Sequence, residues 1–299
     1  MSDEQENPNK PDLTDDDGNP LAYGSYLKVP ELLDLQDLRS EPAAHDELLF
    51  IIIHQAYELW FKLVLFELDS VGEHMREGDV YEASRLMQRV LTIEDLLVKQ
   101  IHVLETMTPR DFLSFRAALK PASGFQSAQF REVEFLSGMK EGGQVMKSMQ
   151  MLDDEKERLQ TRLDEPSLRM MFYELLADEG YDVVVPQDGE PLEEDDRKQT
   201  LDALHEIFAA PENHFHIYQL AESLVAHDQN ILLWRFHHVR VVERLIGTKH
   251  GTGGSPGVKY LNSTLSKRAY PMLWEVRGML SDEAFYGIER GPTMPPRSE

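Results

Sequence analysis

The stretch ELLFIIIHQAYELWFKLVLFELDSVGEHMRE, residues 47–77, decides the architecture. Its apolar residues recur at helical spacing, and no glycine or proline interrupts it before Gly72. That pattern predicts one long helix. Working outward, a second helix is expected from Tyr81 to Met107. A third, of many turns, should run from about Glu212 to Ile246, where Gly and Pro are both absent. Between them, Thr108-Pro109 is a restart signal, with Thr as N-cap, Pro at the first helical position and Asp111 completing a capping box. The short helix it opens carries Phe112, Phe115, Arg116 and Leu119 until Pro121 stops it. SGFQSAQFREVEFLSG, residues 123–138, reads as a further capped helix ended by Gly138. A last helix is expected after the glycine-rich GTGGSPG at 251–257.

The only β-like run, Tyr181 to Val185, is too short to found a sheet, and no internal repeat is visible. The fold class is therefore all-α, a single large helical-bundle domain over 21–299. Residues 1–20 are rich in Pro, Asp and Asn and read as a disordered acidic tail. Residues 178–196 hold nine acids and no base, which reads as a solvated acidic loop. A flexible C-terminal tail is expected at about 288–299.

Composition removes several function classes. The 299 residues contain no cysteine, which excludes disulfides, thiolate-bound zinc, iron–sulfur clusters and a cysteine-ligated haem. It also fits a reducing, cytoplasmic setting. A net charge of −24 repels phosphate backbones and anionic membranes, so no nucleic acid and no membrane is expected as partner. The longest apolar run, Leu48 to Ile53, is six residues, against the roughly 20 of a membrane span.

Metal motifs are scarce. There is no HExxH, and none of the 11 histidines follows a Glu by three positions, as a bundle di-iron site would require. GTGGSPG lacks the Gly-Lys-Ser/Thr ending of a phosphate-binding loop. Two histidines stand out by position instead. His238 has Ile231, Trp234, Val241, Val242 and Leu245 at offsets −7, −4, +3, +4 and +7, which places an imidazole on the most apolar stripe of the chain. Its neighbour His237 faces Arg240 and Arg244. His54 has Phe50 one turn before it and Phe61 two turns after. By periodicity each is either a packed core histidine or a ligand-facing group, His238 then being a haem iron ligand. Arg116, among Phe112, Phe115 and Leu119, either snorkels or points into a pocket to clamp a carboxylate.

Five blocks narrow these alternatives: YGSYL at 23–27, HDELLFIIIHQAYELWFK at 45–62, FLSFRAALKPASGFQSAQFREVE at 112–134, WRFHHVRVVERLIGTKHGTGGSPGVKYL at 234–261 and PMLW at 271–274. In order, over residues 21 to about 280, they resemble the tryptophan 2,3-dioxygenase family. The resemblance implies a haem-dependent enzyme that opens the indole C2–C3 bond of L-tryptophan with O2 to give N-formylkynurenine. The fold implied is the all-α tryptophan/indoleamine dioxygenase type, with one haem b per subunit. A homotetramer, a dimer of dimers, is also implied, its N-terminal segment shared between subunits.

Residue by residue, the resemblance makes His238 the axial ligand of the haem iron and sets Ser123 and Gly124 beside the cofactor. It puts His54 at the indole nitrogen, Phe50 against the indole, and the adjoining Ile51, Ile52 and Ile53 at the substrate. Arg116 takes the substrate carboxylate with Phe112 beside it, Leu119 walls the pocket, and Thr252 holds the ammonium and carboxylate. Tyr23 and Tyr26 correspond to residues that a neighbouring subunit inserts. No proton need leave the indole N–H, so His54 is expected to position and not to act as an essential base.

Overall fold

The computed structural model describes residues 13–15, 18–142, 151–251 and 257–280. Two short helices, α1 (Tyr23–Tyr26) and α2 (Val29–Leu33), precede α3 (His45–Arg76) and α4 (Val80–Leu104). Then come α5 (Pro109–Phe115), α6 (Ala128–Ser137), α7 (Asp153–Asp164), α8 (Leu168–Asp178) and α9 (Glu194–Ala209). The long α10 (Phe215–Ile246) is followed by α11 (Val258–Ser263) and α12 (Pro271–Glu275). Among the described residues there is no strand, only one isolated bridge between Thr14 and Pro20. The all-α expectation holds.

The three long helices form the frame, with α4 packed against both α3 and α10. The turn between α3 and α4 is tight because Gly78 adopts φ +75°, a left-handed conformation that glycine enters without cost, and because Asp79 caps α4 by accepting from the Glu82 N–H at 3.0 Å. Gly72 does not interrupt α3. A Cβ there would lie 2.7 Å from the Met171 sulfur, so the glycine lets α8 approach closely. The main core cluster runs from Val64, Leu68 and Val71 on α3 through Met87 and Val90 on α4 to Leu220 and Leu224 on α10, and a smaller one joins Ala128 and Phe135 of α6 to Leu159 of α7. Among the described helices, α3 alone has the length and composition of a bilayer span, with mean hydropathy 1.5 over its most apolar window. It is instead a frame helix, packed against α4, α6 and α8.

Local signals behave as expected around the smaller helices. Thr108 and Asp111 form the capping box of α5, whose last turn tightens into a 3-10 segment over Arg116–Leu119. Ser127 caps α6, and Gly138 ends it at φ +113°.

Two expectations need correction. Helices α7, α8 and α9 occupy much of residues 153–209, where the sequence reading placed only the acidic stretch. That stretch, 178–196, is not a uniformly solvated loop: Asp178 ends α8 and Glu194 opens α9. Between them the Asp188 side chain is only 8% exposed. It accepts from the Ser167 N–H and hydroxyl and pairs with Arg169 at 2.9 Å and Lys140 at 3.0 Å. Composition counts the acids, but the bases that bury this one come from distant segments. The expected tail at 288–299, and residues 1–12 and 16–17 of the expected tail at 1–20, lie outside the described residues.

Candidate active site

A cavity of about 490 Å³ opens where α3, α6 and α10 diverge, a volume in the range of small-molecule and cofactor pockets. Helix α3 contributes Phe50, His54, Tyr57, Glu58 and Phe61, the i, i+4, i+7, i+8, i+11 stripe of one face. Helix α10 contributes Trp234, Arg235, His238, Val241, Val242 and Leu245. Phe112, Arg116, Leu119, Ser123 and Gly124 close one side, and Gly251 and Gly257 at the ends of the glycine-rich segment and Tyr260 of α11 border it.

His238 sits on the cavity wall with its ring stacked on Trp234, centroids 5.1 Å apart and planes 11° from parallel. Burial, and then the nearby His54, push its pKa down to about 4. Its imidazole is therefore neutral at physiological pH and keeps a free lone pair. His54 is also held below its ordinary value, by burial first, against the opposing pull of the Phe50 carbonyl and the Glu58 charge. Its Nδ1 lies 2.7 Å from the Phe50 carbonyl oxygen. A carbonyl can only accept, so Nδ1 carries the proton and Nε2 is left as an acceptor. Phe50 covers the same imidazole at 4.0 Å and leans on Phe112 and Phe115 at 5.8 and 5.6 Å. One helical turn thus supplies an aromatic wall and a hydrogen-bond acceptor together.

Arg116 is half-buried and donates through Nη2 to the His250 carbonyl, which fixes the guanidinium against the start of the glycine-rich segment. The remaining N–H groups of the fork suit a carboxylate. Deeper in the wall, Glu134 on α6 pairs with Arg131 and with Arg235 of α10. Glu134 and Arg235 are only 5% and 4% exposed. Burial opposes ionisation of Glu134, but the two guanidiniums hold its carboxyl below the usual range.

The expected residues fall into three groups. Phe50, His54, Phe112, Arg116, Leu119, Ser123, Gly124 and His238 share the one cavity. Ile51, Ile52 and Ile53 do not line it: they occupy other faces of α3 than Phe50 and His54, Ile52 being 46% exposed and Ile53 buried in the core. Tyr23 and Tyr26 also lie off it, 79% and 72% exposed on α1. Thr252 lies outside the described residues. The sequence reading missed Glu58, Arg131, Glu134 and Arg235. All four fall within quoted blocks, at 45–62, 112–134 and 234–261, but a charged residue gives no periodicity signal that it is buried and paired.

Fold and cavity define an all-helical ligand-binding protein whose site joins two neutral imidazoles, a guanidinium and a cluster of aromatic rings. The chain belongs to the tryptophan 2,3-dioxygenase family, whose model, described as Tryptophan 2,3-dioxygenase, matches residues 7–182 and 191–280. A relative of that name from Nocardioides sp. is 45% identical over 274 residues, covering 88% of this chain and 96% of the relative. Those from Herpetosiphon aurantiacus and Anaeromyxobacter dehalogenans are 44% and 41% identical, each over 87% of this chain and 98% and 96% of their own. The family is haem-dependent in general.

The depressed pKa of His238 has a measurable consequence in protein free of any bound group. The unfolded histidine takes up a proton near pH 6.5, whereas the folded one resists until about pH 4. Stability is therefore fully present above about pH 6.5 and falls as the pH drops through the window toward 4, by up to about 3 kcal/mol. Urea unfolding at pH 7 and pH 4.5 should show a smaller loss for His238→Leu than for the parent. Identical losses in the two proteins would mean that His238 is not desolvated.

Proposed function

We propose that this chain is a haem-dependent oxidoreductase that opens the indole C2–C3 bond of L-tryptophan with O2, giving N-formylkynurenine, and that His238 would hold its haem iron. The observation that carries the reading is the convergence of His238, His54 and Arg116 on one aromatic-walled cavity, in a chain of this family.

The residues present fit a haem. Iron needs an unprotonated imidazole in a dry wall, and His238, with its pKa near 4, is that group in a chain without cysteine. Ser123 and Gly124 would border the cofactor. When bound, the haem supplies activation of O2, which a protein side chain cannot provide. Everything else falls to the polypeptide. Arg116 pairs with the substrate carboxylate, its orientation set by the His250 carbonyl. Thr252 is assigned the ammonium and carboxylate by the family resemblance. The His54 Nε2 accepts the indole N–H, because the Phe50 carbonyl occupies the other ring nitrogen. Phe50, Phe112 and Leu119 pack on the indole and keep water from it. With the N–H retained through the reaction, His54 orients the ring and holds no proton in transit.

Assembly completes this picture. Tyr23 and Tyr26 stand exposed on α1, and Leu48, Ile52, Leu59 and Phe66 form an exposed apolar stripe along α3 at 42%, 46%, 54% and 66%. These faces support a homotetramer, a dimer of dimers, in which the two tyrosines enter a neighbouring subunit's pocket. The absence of cysteine from the chain supports a cytoplasmic setting.

Haem retention tests the ligand. His238→Ala should abolish the axial bond and most haem uptake, read from the absorption spectrum, while His237→Ala should keep both. The reverse pattern would reassign the ligand. Turnover of L-tryptophan by the reduced protein in air, with the product identified by mass, tests the reaction. In that assay Arg116→Ala should lower kcat/KM by roughly 30- to 1,000-fold, the loss of about 2–4 kcal/mol of charge-assisted binding. Tryptamine, which has no carboxylate, should be turned over poorly by the parent and be little affected by the change. Near-normal tryptophan kinetics in the variant would remove the clamp.

His54→Ser separates positioning from base catalysis. A positioning hydrogen bond to a neutral donor contributes about 0.5–1.5 kcal/mol, so kcat should fall about tenfold and N-formylkynurenine should still form. Loss of a general base in an obligatory step costs up to about 10⁴-fold. A fall beyond about 10³-fold with haem and substrate binding intact would restore His54 as an essential base.

A further inference from the structure

The residues that alternate with the cavity wall form a second cluster outside it. Ile101 and Leu104 of α4 and His238 of α10 line the cavity, whereas their chain neighbours His102, Glu105 and His237 do not. These three meet each other instead. The His102 Nδ1 lies 2.9 Å from the Glu105 carboxylate, and the His102 and His237 rings stand edge to face with centroids 5.2 Å apart. One donor atom from each residue lies within 4.8 Å of the other two.

We propose that His102, Glu105 and His237 form a binding site for a divalent transition-metal ion of the Zn²⁺ class, tying the last turn of α4 to the turn of α10 that presents His238 to the cavity. Two imidazoles and a carboxylate suit Zn²⁺, Cu²⁺ or Ni²⁺, whereas Mg²⁺ and Ca²⁺ demand oxygen donors throughout. The i, i+3 spacing of His102 and Glu105 sets both on one face of α4, and His237 reaches them from α10. Tetrahedral zinc with bonds of about 2.0–2.1 Å holds its donors about 3.4 Å apart. The cluster is therefore slightly open. His102, 53% exposed, has the freedom to swing inward, while Glu105, 29% exposed, is the steadier anchor. A water takes the fourth position, as is usual for zinc held by three protein ligands.

The site stands independently of the proposed reaction, since none of its residues faces the cavity. It also gives His237 a role distinct from that of its neighbour. The competing interpretation is an ordinary i, i+3 ion pair with a ring packed beside it.

Zinc chloride titrated calorimetrically into the intact, chelator-washed protein tests the proposal, with zinc K-edge absorption on the loaded sample to read the donors. One saturable site per chain with two imidazole nitrogens in its shell is expected. His102→Ala and His237→Ala should each weaken uptake by more than the roughly 10–100-fold that loss of an outer-shell partner costs. His45→Ala, at another exposed histidine beside an acid, should leave uptake unchanged. Circular dichroism melts without zinc establish that the variants are folded. Absence of saturable uptake, uptake that survives both substitutions, or a shell of oxygen donors alone overturns the proposal.

Discussion

The cavity depends on one buried ion cluster. Glu134, on α6, lies between Arg131 of its own helix and Arg235 of α10, with no appreciable access to water. Arg235 also donates to the Thr264 carbonyl at 3.3 Å, so a single guanidinium joins α6, α10 and the end of α11. It sits three residues before His238, on the same helix, and its bonds therefore fix the rotational phase at which that histidine meets the cavity. A cluster of this kind adds little net stability compared with a well-packed apolar substitute. Removing one partner, in contrast, strands a buried charge at a cost of about 3–5 kcal/mol. The walls of an open cavity cannot hold each other apart by apolar packing alone. Directional, charge-assisted bonds can.

Around that brace, the helices divide the chemistry by face. On α3 the cavity stripe ends at Phe61, and Val64, Leu68 and Val71 then turn the same helix into the core. On α10 the polarity is similar: Leu220 and Leu224 are core, while Trp234 and His238 face the cavity. A further buried network joins the frame, where His227 of α10 bonds Glu94 of α4 at 2.6 Å and Ser137 of α6 at 2.8 Å. Asp228 beside it accepts from the Trp274 indole at 2.8 Å and from the Ala269 N–H at 3.1 Å. These bonds satisfy polar groups that would otherwise be costly to bury, and they register α10 against α4, α6 and the C-terminal segment.

How much of this was legible in the sequence follows from where each signal resides. Periodicity is local, so α3, α4 and α10 could be read, as could the choice of His238 over His237 as the residue on the apolar stripe. Capping chemistry is local too, which is why Thr108, Asp111 and Gly138 mark helix ends correctly. Buried charge is not local. Glu134, Arg235, Glu94 and Asp188 look like surface residues in any window, because, apart from Arg131 beside Glu134, the partners that make their burial tolerable lie 19 to 136 positions away. Ile51, Ile52 and Ile53 show the converse case, lying off the lining that Phe50 and His54 share. A block shared with a family marks a region, but only residues spaced by a helical turn, such as Phe50 and His54, can face one cavity together.

The overall charge and the interior charge of the molecule pull in opposite directions. A chain with net charge −24 presents a field that repels anions at long range, yet Arg116, Arg131 and Arg235 all border the cavity. Arg131 and Arg235 share the one carboxylate of Glu134, whereas Arg116, among the described residues, is held by the His250 carbonyl. A free amino acid is a zwitterion and feels little of the outer field, whereas a simple anion of the same size approaches against it. At contact range the guanidinium would act directly on a carboxylate through charge-assisted hydrogen bonds. With Arg116 in its proposed role, selection for a zwitterion carrying an aromatic group would arise from two scales at once, an acidic surface that disfavours anions and a guanidinium, set among rings, that pairs with the carboxylate.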